Sequence, residues 1–153
     1  MTASIVTIRP ARAGDIDSLT ALLKILFTIE EDFIFDEMLQ RRGLQMVLDN
    51  DRACLLAAEA DGQVLGMCSG QLTVSTAEGG PALLVEDVVV RRDWHGRGIG
   101  RRLMESLGEW AGKKGVSRLQ LLADRNNRPA LDFYDKLGWQ TTELICLRKR
   151  LSP

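Results

Sequence analysis

Residues Leu84 to Leu107 read LVEDVVVRRDWHGRGIGRRLMESL, and the fold turns on how this stretch is read. It opens as an apolar run, Leu84 and Val85, then Val88, Val89 and Val90. A polar break follows from Arg91 to His95. Glycines then recur at every second position, Gly96, Gly98 and Gly100. Beyond them Ile99, Leu103, Leu107 and Trp110 fall on one helical face. The pattern is strand, glycine-rich turn, helix. Glycines let the backbone turn sharply and approach a ligand without a Cβ in the way. The first turn of a helix carries amide N–H groups with no internal acceptor, and the helix dipole adds partial positive charge there. The unit is therefore expected to hold the phosphates of a cofactor.

Two familiar phosphate loops are excluded. No Gly-Lys-Ser/Thr follows the glycines, so the lysine and the magnesium-binding hydroxyl of a nucleotide-triphosphate loop are missing. The glycines run G-x-G-x-G rather than G-x-G-x-x-G, and the unit lies mid-chain after an antiparallel hairpin, unlike a dinucleotide fingerprint.

The totals bound the rest. A chain of 153 residues, 45% hydrophobic and 27% charged, fits one globular domain, residues 1–153, with a sizeable core. A formal net charge of -1 supplies no overall basic field, so no nucleic-acid partner is expected. No apolar run resembles a signal peptide or is long enough to cross a membrane, so no membrane partner is expected and a reducing cytoplasm is the expected compartment. Cys54, Cys68 and Cys146 lie far apart among apolar residues and read as reduced thiols. The spacing of metal sites is absent, and one histidine, His95, cannot build a histidine cluster, so no metal is expected.

Outward from the central unit, Ser4 to Arg9 alternates as a short strand stopped by Pro10. Asp15 to Thr28 reads as an amphipathic helix carrying Ile16, Leu19, Leu23 and Leu26, and Asp36 to Asp49 as a second helix. Between them lie Glu30, Glu31, Asp32, Asp36 and Glu37, interleaved with Phe33, Ile34 and Phe35. Acids beside aromatics suit a pocket for a cationic substrate, and equally a solvated helix flank. Arg52 to Ala60 and Gln63 to Val74 read as strands around an Asp61-Gly62 hairpin turn. Ser75 to Pro81 reads as a loop. The helix after the glycines runs to about Lys114, with Gly115 as its stop. Ser117 to Asp124 is a strand, and Asn127 caps a helix whose Ala130, Phe133, Tyr134 and Leu137 share one face. Trp139 to Leu151 returns as a final strand or tight strand pair. The expected architecture is an α/β fold of the α+β kind: a central mixed, mostly antiparallel sheet with one parallel strand–helix–strand crossover, flanked by about four helices.

At this point two segments carry a family likeness. His95-Gly96-Arg97-Gly98-Ile99-Gly100 after Val88-Val89-Val90 resembles the acetyl-CoA signature of the GNAT N-acetyltransferase superfamily. Asn127-Arg128-Pro129-Ala130-Leu131-Asp132-Phe133-Tyr134-Asp135-Lys136-Leu137-Gly138-Trp139 resembles that family's later helix. One position departs: the first residue of the glycine motif is usually Arg or Gln, and here it is His95.

The resemblance implies a GNAT-like fold, acetyl-CoA as co-substrate and transfer of acetyl to a primary amine. Amides of Gly96, Arg97, Gly98, Ile99, Gly100 and Arg101 would hold the pyrophosphate, with His95 beside them. The strand at Val88, Val89 and Val90 would pair with the pantetheine arm, a bulge there making room, and Asn127 would lie near that arm. Arg92, Arg97, Arg101 and Arg102 would neutralise phosphate, or form a solvated helix face. Tyr134 is the matched general acid for the departing thiolate. Glu86 is the candidate base for the attacking ammonium, in an arrangement that resembles polyamine and diamine acetyltransferases; Asp87, on the opposite face of a regular strand, is the other carboxylate in reach. The acceptor implied is a small cationic amine or a peptide amine, and the family often forms homodimers. The alternatives are a non-catalytic acyl-CoA-binding regulatory module and a nucleotide-binding domain.

Overall fold

The computed structural model describes residues 4–30 and 32–152. Glu31, one of the acids singled out above, lies outside the described residues. In chain order the elements are β1 (Thr7–Pro10), α1 (Ile16–Ile29), α2 (Glu37–Leu48), β2 (Ala53–Ala60), β3 (Gln63–Ser75), β4 (Gly80–Val90), α3 (Ile99–Lys113), β5 (Leu119–Leu121) and α4 (Arg128–Lys136). The chain divides into two compact units, residues 1–121 and 122–153.

The first unit is built on one sheet of order β1-β2-β3-β4-β5. The first four strands pair antiparallel and β5 joins β4 in parallel. Asp61 and Gly62 both take positive φ, 53° and 74°, the geometry that lets a two-residue hairpin follow the twist of its strands. The parallel pair leaves no room for a tight turn, so the chain crosses over through α3.

Both faces of the sheet are covered. Leu19, Leu22, Leu23 and Leu26 of α1 and Leu44 of α2 pack with Leu55, Ala57, Met67 and Val89. On the other face Ile99, Leu103, Leu107 and Ala111 of α3 are buried at helical spacing. The thiol of Cys68, next to Met67 and so on the opposite side of β3, donates to the Leu103 carbonyl at 3.7 Å. Two covered faces explain why β2 and β3 read as nearly unbroken apolar runs.

One ion-pair group ties the start of the chain to this sheet. Arg9 grips Asp15 in a bidentate pair, 2.7 and 2.9 Å, and reaches Glu59 on β2 at 2.9 Å. Asp15 also accepts from the Arg12 backbone N–H at 2.8 Å, which closes the turn that leads into α1. The adjacent guanidinium holds the Asp15 carboxyl below its usual range.

Three expectations are corrected. β4 begins at Gly80, inside what reads as a loop, because Ser75 pairs with Gly80 and Pro81 with Val74. Pro81 is tolerated near the strand's start. β5 spans only Leu119–Leu121, not Ser117 to Asp124, since its parallel register on β4 runs from Leu83 to Val85 and stops there. Leu122, inside the expected strand, is 62% exposed. Residues 139–152 hold neither helix nor strand, although Leu144, Ile145 and Leu147 have the composition of one. Strand propensity describes fit to a paired surface and does not create the pairing.

The second unit is organised by α4. Asn127 accepts from the Ala130 N–H at 3.2 Å, Pro129 sits in the first turn, and Gly138 takes φ 89° just past the end. These are the start and stop signals that the sequence carries.

Gly70 on β3 is a packing glycine. A Cβ there would lie 2.7 Å from Cδ2 of Leu83, a side chain 1% exposed. Gly70→Ala is expected to lower unfolding free energy by about 1–3 kcal/mol in a urea titration, because Leu83 has nowhere to retreat.

Candidate functional site

The site begins with a fault in β4. Met67 pairs with Val89 and Ser69 with Glu86, so Cys68 alone stands opposite Asp87 and Val88. That is a β-bulge, with one extra residue on β4. Asp87 sits in the left-handed region at φ 55°, a conformation aspartate adopts more readily than most side chains. Ser69 fixes the spot by donating its hydroxyl to the Glu86 carbonyl at 3.1 Å.

The bulge opens an edge. β5 leaves β4 at Val85, so from Glu86 to Val90 the strand has its ladder partner on the β3 side. Arg91 donates its N–H to the Leu65 carbonyl of β3 at 2.8 Å. In a trans peptide the carbonyl before it points the opposite way, so the Val90 carbonyl faces the open side. Alternation then turns the backbone groups of Val88 outward too. The backbone groups of Val89 turn instead toward Met67 on β3, and its side chain lies in the core, 6% exposed.

The turn follows at once. Arg91 to His95 make a single tight turn, Trp94 N–H to Arg91 O at 2.9 Å and His95 N–H to Arg92 O at 3.1 Å. Gly96 and Gly98 take φ 77° and 76°, and Gly98 is the cap of α3. A Cβ at either would meet nothing within 4 Å. Backbone conformation, not crowding, therefore demands these glycines, which removes helix–sheet packing as their explanation. The first helix hydrogen bond runs from Arg102 N–H to Gly98 O, 3.1 Å. The amides of Ile99, Gly100 and Arg101 precede it and have no acceptor within the helix. Open strand edge and amide-lined helix start thus adjoin, separated only by the turn.

The arginines divide in role. Arg97 stacks its guanidinium 4.3 Å from the Trp94 ring centroid. Arg102 donates to the Val6 carbonyl at 2.8 Å and secures the start of the chain. Arg101 lies 4.0 Å from Glu105, a loose surface pair. Arg92 and Arg97 are exposed beside the turn.

The carboxylates differ from the alternation reading. Glu86 is exposed, while Asp87 is partly buried. The left-handed residue breaks the strict alternation that a regular strand would impose. Burial, then the charge of Glu86, then that of Glu30, push the Asp87 carboxyl up to about 7. Glu30 comes from the end of α1, where its N–H bonds the Leu26 carbonyl at 2.8 Å. Other acids in that segment serve the helices. Asp36 caps α2 by accepting from Met38 and Leu39 N–H, and Glu37 with Asp17 pairs with Arg41. Phe27 and Phe33 lie 5.8 Å apart between centroids, and the Lys24 ammonium lies 5.9 Å from the Phe35 ring.

In the second unit, Tyr134 is half-buried. Its ring lies 5.1 Å from Phe133, edge to face, and 5.7 Å from Trp139. Its carbonyl accepts from the Trp139 N–H at 3.0 Å, so the residue also closes α4. Asn127, expected near the cofactor arm, has its side-chain oxygen engaged as the α4 cap. Among the described residues no helix is long and apolar enough to cross a membrane.

The family described as Acetyltransferase (GNAT) family matches residues 17–139. The chain is similar to the thialysine N-epsilon-acetyltransferase of Bos taurus, 30% identical over 146 residues, covering 88% of this chain and 84% of that protein. A 64-residue stretch is 48% identical to N-alpha-acetyltransferase 80 of Mus musculus, covering 42% of this chain and 19% of that protein. Across five of the curated relatives, the match spans 19% to 65% of the relative's length. Among solved structures, aminoglycoside N-acetyltransferase AAC(6')-Iy in complex with CoA superposes with a TM-score of 0.85 at 21% identity, over 98% of each chain. The likeness is one of fold: the mixed sheet and its helices are those of acetyltransferases.

A carboxyl raised to about 7 links stability to pH. Its unfolded value is near 3.9, so between about pH 4 and pH 7 the folded chain keeps a proton that the unfolded chain has released. Stability therefore falls as pH rises through that window. Asp87→Asn, which suits the left-handed backbone, is expected to unfold about 4 °C above the wild type at about pH 8 and together with it at about pH 4, by scanning calorimetry.

Proposed function

The chain belongs to the acetyltransferase (GNAT) family, and from that premise we propose that it transfers acetyl from acetyl-CoA to the primary amine of a small cationic acceptor. The observation that carries this reading is the open β4 edge running directly into the amide-lined start of α3. An amide-rich pantetheine arm matches the first, and a pyrophosphate the second. The backbone groups of Val88 and the N–H of Val90 face the arm, and the amides of Gly96 to Arg101 hold the phosphates. Arg92 and Arg97 add positive charge. The family match runs through residues 17–139 as one segment, which supports reading both units as one acetyltransferase domain. Cys54, Cys68 and Cys146 are free thiols, in keeping with a reducing cytoplasm.

Proton removal falls to Asp87, with Glu86 as its exposed neighbour. An aliphatic ammonium must lose a proton before it can attack. A carboxylate with a value of about 7 holds that proton far better than an ordinary one at the same pH. Glu86 and Glu30 then draw the cation toward the bulge. The neutral amine forms the new C–N bond as the C–S bond breaks. Backbone N–H groups of the open edge stabilise charge on the acetyl oxygen. Tyr134 gives its hydroxyl proton to the departing thiolate, and solvent returns the proton shed by the new amide to the phenolate. Support for Tyr134 is its place in the Asn127 to Trp139 motif.

A cationic acceptor accords with the names of the thialysine and aminoglycoside acetyltransferases to which the chain is similar. A protein N-terminus is the second reading, favoured by the 48% identity to N-alpha-acetyltransferase 80 over 64 residues. A screen that reads released thiol with polyamines, amino acids, aminoglycosides and short peptides separates them. Turnover with small cations alone supports the first reading, turnover with peptides alone supports the second, and silence across the panel removes both.

With an acceptor in hand, Asp87→Asn is expected to lower kcat/KM about 100-fold near neutral pH and to abolish the acid limb near pH 7. Tyr134→Phe is expected to lower kcat by about the same factor, steeply enough to read in initial rates. A Tyr134→Phe enzyme with unchanged kcat across pH would remove the general acid from the scheme.

A further inference from the structure

His95 stands where the glycine motif departs from the family pattern, and its ring makes a short contact: Nε2 lies 2.7 Å from the Val90 carbonyl oxygen. A carbonyl oxygen only accepts, so Nε2 carries the hydrogen. In neutral imidazole that assignment leaves Nδ1 unprotonated, and in imidazolium Nε2 still donates. The bond therefore survives in either charge state.

The carbonyl it engages is the one that faces the open edge of β4, since Arg91 N–H on the other end of the same peptide bonds Leu65 O. His95 itself is extended, φ -67° and ψ 156°, and leads directly into Gly96 at φ 77°. Its ring thus closes the tight turn back onto the last residue of the strand. Two consequences follow from that geometry. The turn cannot swing as a free loop, so the amides beyond it are held against the strand end. The open edge also stops at Val90, because its outward acceptor is already taken.

We propose that His95 is a positioning residue for the cofactor: its bond to Val90 locks the phosphate-binding turn to the end of the strand that receives the pantetheine arm. This rests on the cofactor reading given above. His95 acts through the turn rather than on the reacting atoms. Its loss is expected to weaken binding of the phosphate-bearing part and to spare the arm. Gln carries an N–H donor at similar reach, so His95→Gln keeps the lock, and His95→Ala removes it.

Calorimetry with coenzyme A, and nuclear magnetic resonance titration with S-acetylpantetheine, which lacks the pyrophosphate, test this on the full chain. A tag without histidine leaves His95 as the single imidazole signal. The expected results are an Nε2–H tautomer at alkaline pH, a Kd for coenzyme A about tenfold or more higher in His95→Ala, restoration in His95→Gln, and an unchanged S-acetylpantetheine affinity. Equal coenzyme A affinity in His95→Ala, parallel loss of both ligands, no restoration by Gln, or an Nδ1–H tautomer overturns the proposal. If His95→Ala does not fold, the tautomer and the His95→Gln affinity decide it. A wild-type chain that fails to bind coenzyme A overturns the cofactor reading itself, and this proposal falls with it.

Discussion

A single backbone residue governs the site. Asp87 at φ 55° puts one extra residue into β4 opposite Cys68. A regular strand would carry its pairing with β5 onward and close the edge that Val88 and Val90 present. It would also place Glu86 and Asp87 on opposite faces by alternation alone. The bulge ends the regular ladder, exposes Glu86, draws Asp87 inward and leaves backbone groups unpaired for a ligand. Backbone strain of this kind persists only where its surroundings hold it, here Ser69 and the packing of Val85 and Val89 on either side.

Those anchors explain why the rest of the unit is so heavily buried. Leu83, Val85, Leu103 and Leu107 are each no more than 1% exposed and clamp β3, β4 and α3 together, while Met67, equally buried, faces α1. α3 in turn sets where the glycine turn must end. Its first amides point out of the sheet's end only because Ile99 and Leu103 are fixed beneath. Packing thus converts an apolar periodicity into the direction of a set of N–H groups.

Much of this was legible in the sequence, and the reason is local. The glycine turn, the Gly115 helix stop and the Asp61-Gly62 hairpin are encoded by residues whose backbone freedom is special, and each lies where it was expected. Helix faces were legible because period and burial coincide. The bulge was expected from the family resemblance and not from the residues themselves, since its left-handed residue is an aspartate and the surrounding valines suit a straight strand equally well. Register and pairing are non-local, so the short β5 and the unpaired residues 139–152 escaped a reading based on propensity. The hydrogen bond of His95 escaped it too, because it depends on the tight turn bringing residue 95 back to residue 90.

In the proposed function, coenzyme A occupies the open β4 edge and the start of α3 together. An amide nitrogen–proton correlation spectrum recorded during titration with coenzyme A tests it most directly, residue by residue. The expected result is that the largest shifts fall on Val88, Val90, Gly96 and Gly98 to Arg101. Shifts confined to other elements, or no shifts at saturating ligand, would contradict it.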